Sequence, residues 1–148
     1  MKKYYLSLVL LLFVCCALAQ QNVIDWSFSS KKISGNLYEI MLAATLKKGW
    51  HIYSQHPGDG PIPTSVAFIK SPVLELKGGI KETGKIKLER SDIFNSEINY
   101  YKDSLVITQN VLVKVNVPTS IKGSVEFMVC DNQQCLPPKT VKFSIRLT

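Results

Sequence analysis

Two cysteines near the C-terminal end of the chain, Cys130 and Cys135, have the type and spacing that suggest chemistry. Such a pair can close into a disulfide, exchange it with thiols of another protein, or bind a metal ion. Closing a ring of about six residues restricts the unfolded chain by only about 2 kcal/mol, a small gain for a purely structural bridge. A short loop also forces the geometry of a disulfide, and strained, exposed disulfides are the readily reduced ones. The spacing alone leaves a redox pair and a structural bridge both open.

A metal site is a further alternative for the pair. Zinc needs more ligands, and His51 and His56 are the only histidines in the sequence. Two cysteines with two histidines match a known zinc ligand set. Thiols exported to an oxidising compartment nevertheless make a poor metal site unless they are protected. We therefore expect no metal and no cofactor.

The residues around the pair predict where the sulfur atoms point. Val125, Phe127 and Val129 share one phase of a predicted strand that runs up to Cys130. If these three face the core, Cys130 points to the opposite side, towards solvent or a cover. A polar turn, Asp131-Asn132-Gln133-Gln134, then leads to Cys135. Pro137 and Pro138 follow, and they keep the loop off the sheet because proline cannot donate to a strand ladder.

The N-terminus has the pattern of an export signal. Lys2 and Lys3 precede an apolar run from Leu6 to Val14, and Ala17-Leu18-Ala19 supplies a small-x-small cleavage pattern. We predict a signal peptide over residues 1–19 and a periplasmic or otherwise exported protein. The apolar run is too short for a stable membrane anchor.

A lipoprotein is the competing interpretation of the N-terminus. Cys15 and Cys16 lie close to a plausible cleavage point, but Phe13 and Val14 before them are bulky where a lipobox requires small residues. We therefore favour cleavage before Gln20, which leaves Cys130 and Cys135 as the mature cysteines. An even pair in an oxidising compartment can close into a disulfide.

Size and charge describe one ordinary domain over residues 20–148. Loss of Lys2 and Lys3 with the signal lowers the formal net charge of +7 by two. About 130 residues can bury a real core without a disulfide. The lysines are spread along the chain without stacking aromatics between them, so we expect no nucleic-acid binding. After Gln20 no second apolar stretch is long enough for a stable membrane span.

The hydrophobic period is two, which indicates strands rather than helices. In the run Ser104–Val117 every second residue from Leu105 is apolar except Gln109, and the runs Tyr38–Leu46 and Val141–Leu147 also alternate. Shorter strands are predicted at Ile24–Phe28, Trp50–Tyr53, Ser65–Ile69, Val73–Leu76, Lys85–Leu88 and Val125–Cys130. Predicted turns between them include Gly78-Gly79 and Lys122-Gly123. Many short strands without helices predict an all-β fold, which we interpret as an immunoglobulin-like antiparallel β-sandwich.

With these features the mature chain resembles the N-terminal periplasmic domain of the DsbD thiol:disulfide interchange family. The signature Cys-loop-Cys-x-Pro-Pro is present as Cys130–Pro138. Lys48–Tyr53 is similar to a Gly-aromatic-aromatic-x-Tyr strand of that family. Asp92-Ile93-Phe94, followed by Tyr101–Leu105, is similar to the family's cap loop and the strand after it. The resemblance implies an immunoglobulin-like sandwich and thiol–disulfide exchange.

The resemblance also implies a role for each site residue. Cys135 would form the mixed disulfide with a partner and Cys130 would resolve it. Phe94 would shield the pair when no partner is docked, while Asp92 and Tyr53 would line the site and influence thiolate formation. The implied partners are thioredoxin-fold proteins, and the chain would act as a protein-disulfide reductase or interchange component.

The sequence departs from the family pattern at three points. The loop between the cysteines is one residue shorter than expected. His51 stands where a tyrosine is expected, although a histidine there can act as a proton acceptor. The membrane and thioredoxin domains that follow in the full-length family protein are missing from this sequence. We therefore expect a separate membrane thiol reductase as electron donor. The alternative is a non-enzymatic immunoglobulin-like binding or assembly module with a structural disulfide.

Overall fold

The structure, a computed structural model, describes residues 22–148, which form eleven β-strands and no helix. The predicted signal peptide lies outside the described residues. Across residues 22–148 no helix has the length and apolar character that a bilayer crossing requires. The strands are β1 Ile24–Ser34, β2 Leu37–Leu46, β3 His51–Tyr53, β4 Ser65–Phe68, β5 Leu74–Thr83, β6 Ile86–Ser91, β7 Ser96–Lys102, β8 Ser104–Val113, β9 Thr119–Phe127, β10 Val129–Cys130 and β11 Lys139–Leu147.

The strands form three sheets in which every paired neighbour is antiparallel. The first sheet has the order β1-β2-β8-β5, the second β10-β3-β7-β6 and the third β11-β9-β4. The all-β, antiparallel prediction is confirmed.

One hydrophobic core joins the three sheets. Ile40 and Leu105 of the first sheet, Ile52 of the second, and Val125 and Phe127 of the third belong to the same buried cluster. Each of these side chains is at most 1% exposed. The first sheet therefore forms one layer, and the other two sheets pack against it.

The predicted alternation is confirmed in β2, β8 and β11, where buried positions recur every second residue. Gln109, the polar exception in the buried phase of β8, is 4% exposed. Its side-chain Nε2 donates hydrogen bonds to the carbonyl oxygens of Lys77 and Asn110, both at 2.9 Å, and lies 3.4 Å from that of Gly78. Gln109 thus donates hydrogen bonds to backbone carbonyl groups beside an irregular part of the neighbouring strand β5.

That irregularity lies at Gly78-Gly79, which the sequence predicts as a turn. The turn prediction is wrong, because both glycines lie inside β5, which continues to Thr83. The pairing of β5 with β8 shifts register between Lys77 and Lys81, so the glycines form a bulge. Gly78 has a φ of +70°, a conformation that glycine adopts readily.

Lys122-Gly123 is also not a turn. It lies inside β9, which begins at Thr119 and not at Val125 as predicted. Gly123 pairs with Phe143 on one side and Phe68 on the other. A Cβ atom at Gly123 would lie 2.6 Å from Cζ of Phe143, so the glycine is required by close packing.

Two predicted segments end differently in the structure. β8 stops at Val113, and Val117 in the following connection is 62% exposed. The segment Tyr101–Leu105, predicted as the strand after the cap loop, instead contains the connection between β7 and β8. Asp103 makes this connection with a φ of +67°. The strand that follows Phe94 is β7, which begins at Ser96.

The second sheet brings distant parts of the chain to one edge. β10 pairs with β3, so that Cys130 lies opposite His51. β3 pairs in turn with β7, so that Tyr53 lies opposite Tyr100. β6 and β7 form a hairpin, and its turn carries Phe94. The pairing of short strands therefore sets the surroundings of the cysteines.

We predict that Gln109→Met lowers the free energy of unfolding by about 1–3 kcal/mol, because the bulge carbonyls lose their buried donor. Urea denaturation measures this. The control is Gln133→Met at an exposed position, which should change the value by less than about 0.5 kcal/mol. Equal stability of the two variants would contradict the role given to Gln109.

Candidate functional site

Cys130 and Cys135 form the expected disulfide, with their Cα atoms 4.0 Å apart. The loop between them is closed by hydrogen bonds among its own residues. The Asp131 carboxylate accepts from the backbone N–H groups of Gln133 and Gln134, both at 2.8 Å. The Asp131 backbone N–H donates to the Gln134 carbonyl at 2.9 Å. This hydrogen bonding holds both cysteines at the end of β10.

The disulfide lies in a second, smaller hydrophobic cluster on the side of the sheet away from the main core. Its buried members are Tyr53, Ile98, Tyr100, Met128 and Cys130, with Phe94 and Cys135 packed against them. The two sulfur environments differ, since Cys130 is 0% exposed and Cys135 is only partly buried. Cys130 thus points under a cover, one of the two environments that the strand phase predicts. A protein that approaches from solvent reaches Cys135 first.

A chain of polar groups leads from Cys135 into the sheet. The hydroxyl of Tyr53 lies 4.0 Å from Sγ of Cys135 and 3.3 Å from Nε2 of His51. Alternate positions of β3 supply both side chains. The His51 ring also packs on Tyr100, with centroids 4.6 Å apart, which restrains its orientation. Tyr53 and His51 are thus placed in series behind the partly exposed sulfur.

Burial shifts the pKa values of both groups in this series. His51 is 8% exposed, and desolvation lowers its pKa, with a further lowering by the Lys102 charge. The charges of Asp131 and Glu89 act in the opposite direction on the His51 pKa. Burial raises the pKa of Tyr53 to about 12. At neutral pH the imidazole is therefore a neutral acceptor and the phenol keeps its proton.

The turn that carries Phe94 packs against the loop between β3 and β4. Phe94 approaches Tyr53 edge to face, with ring centroids 6.0 Å apart. Behind it, Gly60 has a φ of +111°, and a Cβ atom there would lie 2.6 Å from Cδ1 of Phe94. The hydroxyl of Ser96 donates to the Asp59 carbonyl at 2.5 Å. The loop around Gly60 thus forms the seat of the Phe94 ring.

An open cavity of about 300 Å³ adjoins the aromatic cluster. His51, Asp92 and Asp131 contribute to its lining, together with Glu89 and Tyr100. Asp92 is exposed on this wall. Asp92 thus belongs to the cavity wall, whereas the hydroxyl of Tyr53 lies 4.0 Å from Sγ of Cys135. The structure therefore places His51, Tyr53 and Phe94 around the pair and Asp92 on the wall of the adjoining cavity, while their roles stay predictions.

Sequence reasoning missed Tyr100 and Glu89. The Tyr100 hydroxyl donates to the Glu89 carboxylate, and burial, followed by this contact, raises the pKa of Tyr100 to about 12. The consecutive tyrosines at 100 and 101 are a sequence signal for Tyr100. Neighbouring residues of a strand point to opposite faces of the sheet, so one of two adjacent tyrosines must face the side of the cysteines. Tyr101 packs in the main core and Tyr100 in the smaller cluster.

The zinc alternative finds no further ligands among the described residues. Within residues 22–148 no group of three or more His, Cys, Asp or Glu side chains comes together as a metal site. Nε2 of His51 faces the Tyr53 hydroxyl, and His56 is exposed in the following loop. The arrangement at the disulfide is that of a covered sulfur pair with one accessible member.

We predict that Phe94→Ala speeds reduction of the disulfide by dithiothreitol several-fold, because the family resemblance gives this ring the role of a cover over the pair. Gly60→Ala should act in the same direction by displacing the ring from its seat. Ile93→Ala and Gly79→Ala are the matched controls, since Ile93 is 49% exposed and a Cβ at Gly79 meets nothing within 4 Å. Stopped-flow reduction kinetics measure the effect, and equal rates in all four variants would refute the cover.

Solved structures of low sequence identity share this architecture. The N-terminal periplasmic domain of ScsB from Proteus mirabilis matches with a TM-score of 0.60 and 17% identity over 88% of this chain, which spans 48% of that chain. The reduced N-terminal domain of DsbD from Neisseria meningitidis matches with a TM-score of 0.58 and 13% identity, covering 89% of this chain and 91% of that one. These likenesses confirm the predicted immunoglobulin-like sandwich.

A third solved structure, of a complex between the DsbD and PilB N-terminal domains from Neisseria meningitidis, matches with a TM-score of 0.54 and 9% identity over 86% of each chain. No curated protein sequence matches the chain significantly. The family model described as "Thiol:disulfide interchange protein DsbD, N-terminal" matches residues 18–147. This match covers nearly the whole chain and includes Cys130 and Cys135, so the chain belongs to the DsbD N-terminal domain family.

Proposed function

We propose that this chain is an extracytoplasmic thiol–disulfide exchange protein that passes electrons between thioredoxin-fold proteins and a separate membrane thiol reductase. The observation that carries the proposal is the asymmetric burial of the pair, with Cys130 fully buried and Cys135 partly exposed. Disulfide exchange requires in-line access to one sulfur and protection of the other. The family membership supports the same chemistry.

The exchange divides between the two sulfur atoms. In the reduced chain the Cys135 thiolate attacks a partner disulfide, forms a mixed disulfide and releases one partner thiolate. The Cys130 thiolate then attacks Cys135 Sγ, closes the Cys130–Cys135 disulfide and releases the second partner thiolate. Two electrons pass to the partner, and its two sulfur atoms take up the two protons that the cysteines lose. The reverse sequence reduces this chain. The chain thus works as a protein-disulfide reductase component without a cofactor.

The proposed partners and location rest on the relatives. A solved complex joins the DsbD and PilB N-terminal domains of Neisseria meningitidis, which supports docking of a partner domain on this fold. The ScsB relative is described as a periplasmic domain, and residues 1–19 of this chain have the pattern of a signal peptide. We place the chain in the periplasm on these grounds.

The alternative of a binding or assembly module with a structural disulfide has less support. The main core contains neither cysteine, so the sandwich is closed by apolar contacts from all three sheets. A bridge across so short a loop adds about 2 kcal/mol. A bridge that never exchanges would also not require the aromatic side chains that bury Cys130.

Trapping of the mixed disulfide tests the proposal. We predict that Cys130→Ser accumulates a covalent complex through Cys135 with an oxidised thioredoxin-fold protein, because the resolving sulfur is absent. Non-reducing electrophoresis and mass spectrometry of the linked peptide detect it.

Cys135→Ser is the matched control and should trap several-fold less, because Cys130 is fully buried. Equal or stronger trapping through Cys130 would reverse the assigned roles. The absence of any complex in both variants would favour the structural-disulfide alternative.

A further inference from the structure

We propose that His51 accepts the proton of the Cys135 thiol through the hydroxyl of Tyr53, so that the thiolate forms by a two-step relay. This inference rests on the proposed exchange function. It assigns to His51, on β3, a role that acts on Cys135 through Tyr53. The geometry that carries it is the series Cys135 Sγ, Tyr53 hydroxyl and His51 Nε2, with separations of 4.0 and 3.3 Å. The series runs from the partly exposed sulfur to a buried base.

In the reduced chain the Cys135 S–H bond breaks and its proton passes to the Tyr53 oxygen, while the Tyr53 O–H proton passes to Nε2 of His51. The thiolate then attacks a disulfide of the partner protein, which is the oxidant. The sulfur that leaves the partner takes a proton, and loss of the proton from His51 restores the starting state. Tyr53 gains and loses one proton and is unchanged.

The surroundings of His51 leave the ring without a proton but also make it a weaker base, which the nearby carboxylates partly offset. Burial and the Lys102 charge on β7 keep the ring neutral at pH 7, while Tyr53 retains its proton because its pKa is raised to about 12. The other groups that face the ring are Glu89 on β6, whose carboxylate accepts from Tyr100 on β7, and Asp131 after β10.

Asp92 in the cap turn lines the same cavity as His51. The charges of Glu89 and Asp131 raise the pKa of His51, so these two carboxylates stabilise the imidazolium once it forms. Lys102 opposes that charge, and its Nζ lies 5.4 Å from the centroid of the Tyr100 ring.

Tight packing holds the acceptor in one orientation. The His51 ring meets Tyr53 edge to face at 5.3 Å and Tyr100 at 4.6 Å between centroids. Only the tautomer with the proton on Nδ1 leaves Nε2 free to accept from the phenol. A fixed ring keeps that nitrogen directed at the Tyr53 hydroxyl. His56, the other histidine, is exposed and serves as a natural control.

The test is the pH dependence of Cys135 alkylation by iodoacetamide in the reduced chain carrying Cys130→Ala. Mass spectrometry of the peptide that contains Cys135 follows the reaction. A relay makes the rate level off above the His51 pKa, so that it is flat between about pH 6.5 and about pH 8.5. His51→Gln and Tyr53→Phe should each remove the plateau. Their rates should rise about tenfold per pH unit over that range and be about tenfold lower than the parent rate at pH 7.

Further variants separate the relay from a structural effect. His51→Tyr keeps an aromatic ring without a base and should also lose the plateau, while His56→Gln should keep it. The double variant of His51→Gln with Tyr53→Phe should match either single variant, because the two residues act in series. A plateau that survives His51→Gln or Tyr53→Phe, or additive losses in the double variant, would overturn the relay.

The alkylation measurement does not depend on the proposed function. Iodoacetamide requires no protein partner, so the plateau reports on Cys135, Tyr53 and His51 alone. A plateau without any trapped partner would retain the relay and refute the exchange function. Trapping without a plateau would retain the exchange function and refute the relay.

Discussion

The arrangement of the site depends on the packing of the Cys130–Cys135 disulfide against the aromatic cluster of the second sheet. Cys130 is buried in one cluster with Tyr53, Tyr100 and Met128, and Phe94 and Cys135 both pack against this cluster. This contact leaves Cys135 as the more exposed sulfur and places the hydroxyl of Tyr53 4.0 Å from it. A covered but not fully buried disulfide is the arrangement expected of a pair that must react with chosen partners and resist others.

The chain supports this contact by dividing its apolar side chains between two clusters. The larger cluster closes the sandwich without either cysteine, whereas the smaller one encloses the disulfide. The phase of the strand around Phe127 and Val129 separates the two, since these residues face the main core while Met128 and Cys130 face the cover. Neither Cys130 nor Cys135 belongs to the larger cluster, so the main core is built without the disulfide.

Local patterns in the sequence predicted the sandwich and the two faces of the strand before Cys130. Alternation of apolar residues is a local property, and it is confirmed in β2, β8 and β11. Two of the errors came from glycines, because Gly78 forms a bulge and Gly123 fits close packing, and a glycine in sequence does not distinguish these uses from a turn.

The site was predictable only in part, because some of its contacts depend on pairing between strands that are far apart in the chain. Cys130, Cys135, Tyr53 and Phe94 were found through a motif, but Tyr100 approaches them only because β3 pairs with β7. Such long-range pairing carries no local signal. The seat of Phe94 at Gly60 likewise depends on contacts between residues far apart in the chain.

The reduction potential of the Cys130–Cys135 pair distinguishes an exchange pair from an inert structural bridge. The pair would be equilibrated with a thioredoxin-fold protein of known potential, and the oxidised fractions of both proteins would be measured by thiol labelling. A covered exchange pair should reach equilibrium with that protein at a potential above about −300 mV. A potential below about −300 mV, with no exchange between the two proteins, would show an inert structural disulfide and contradict the account.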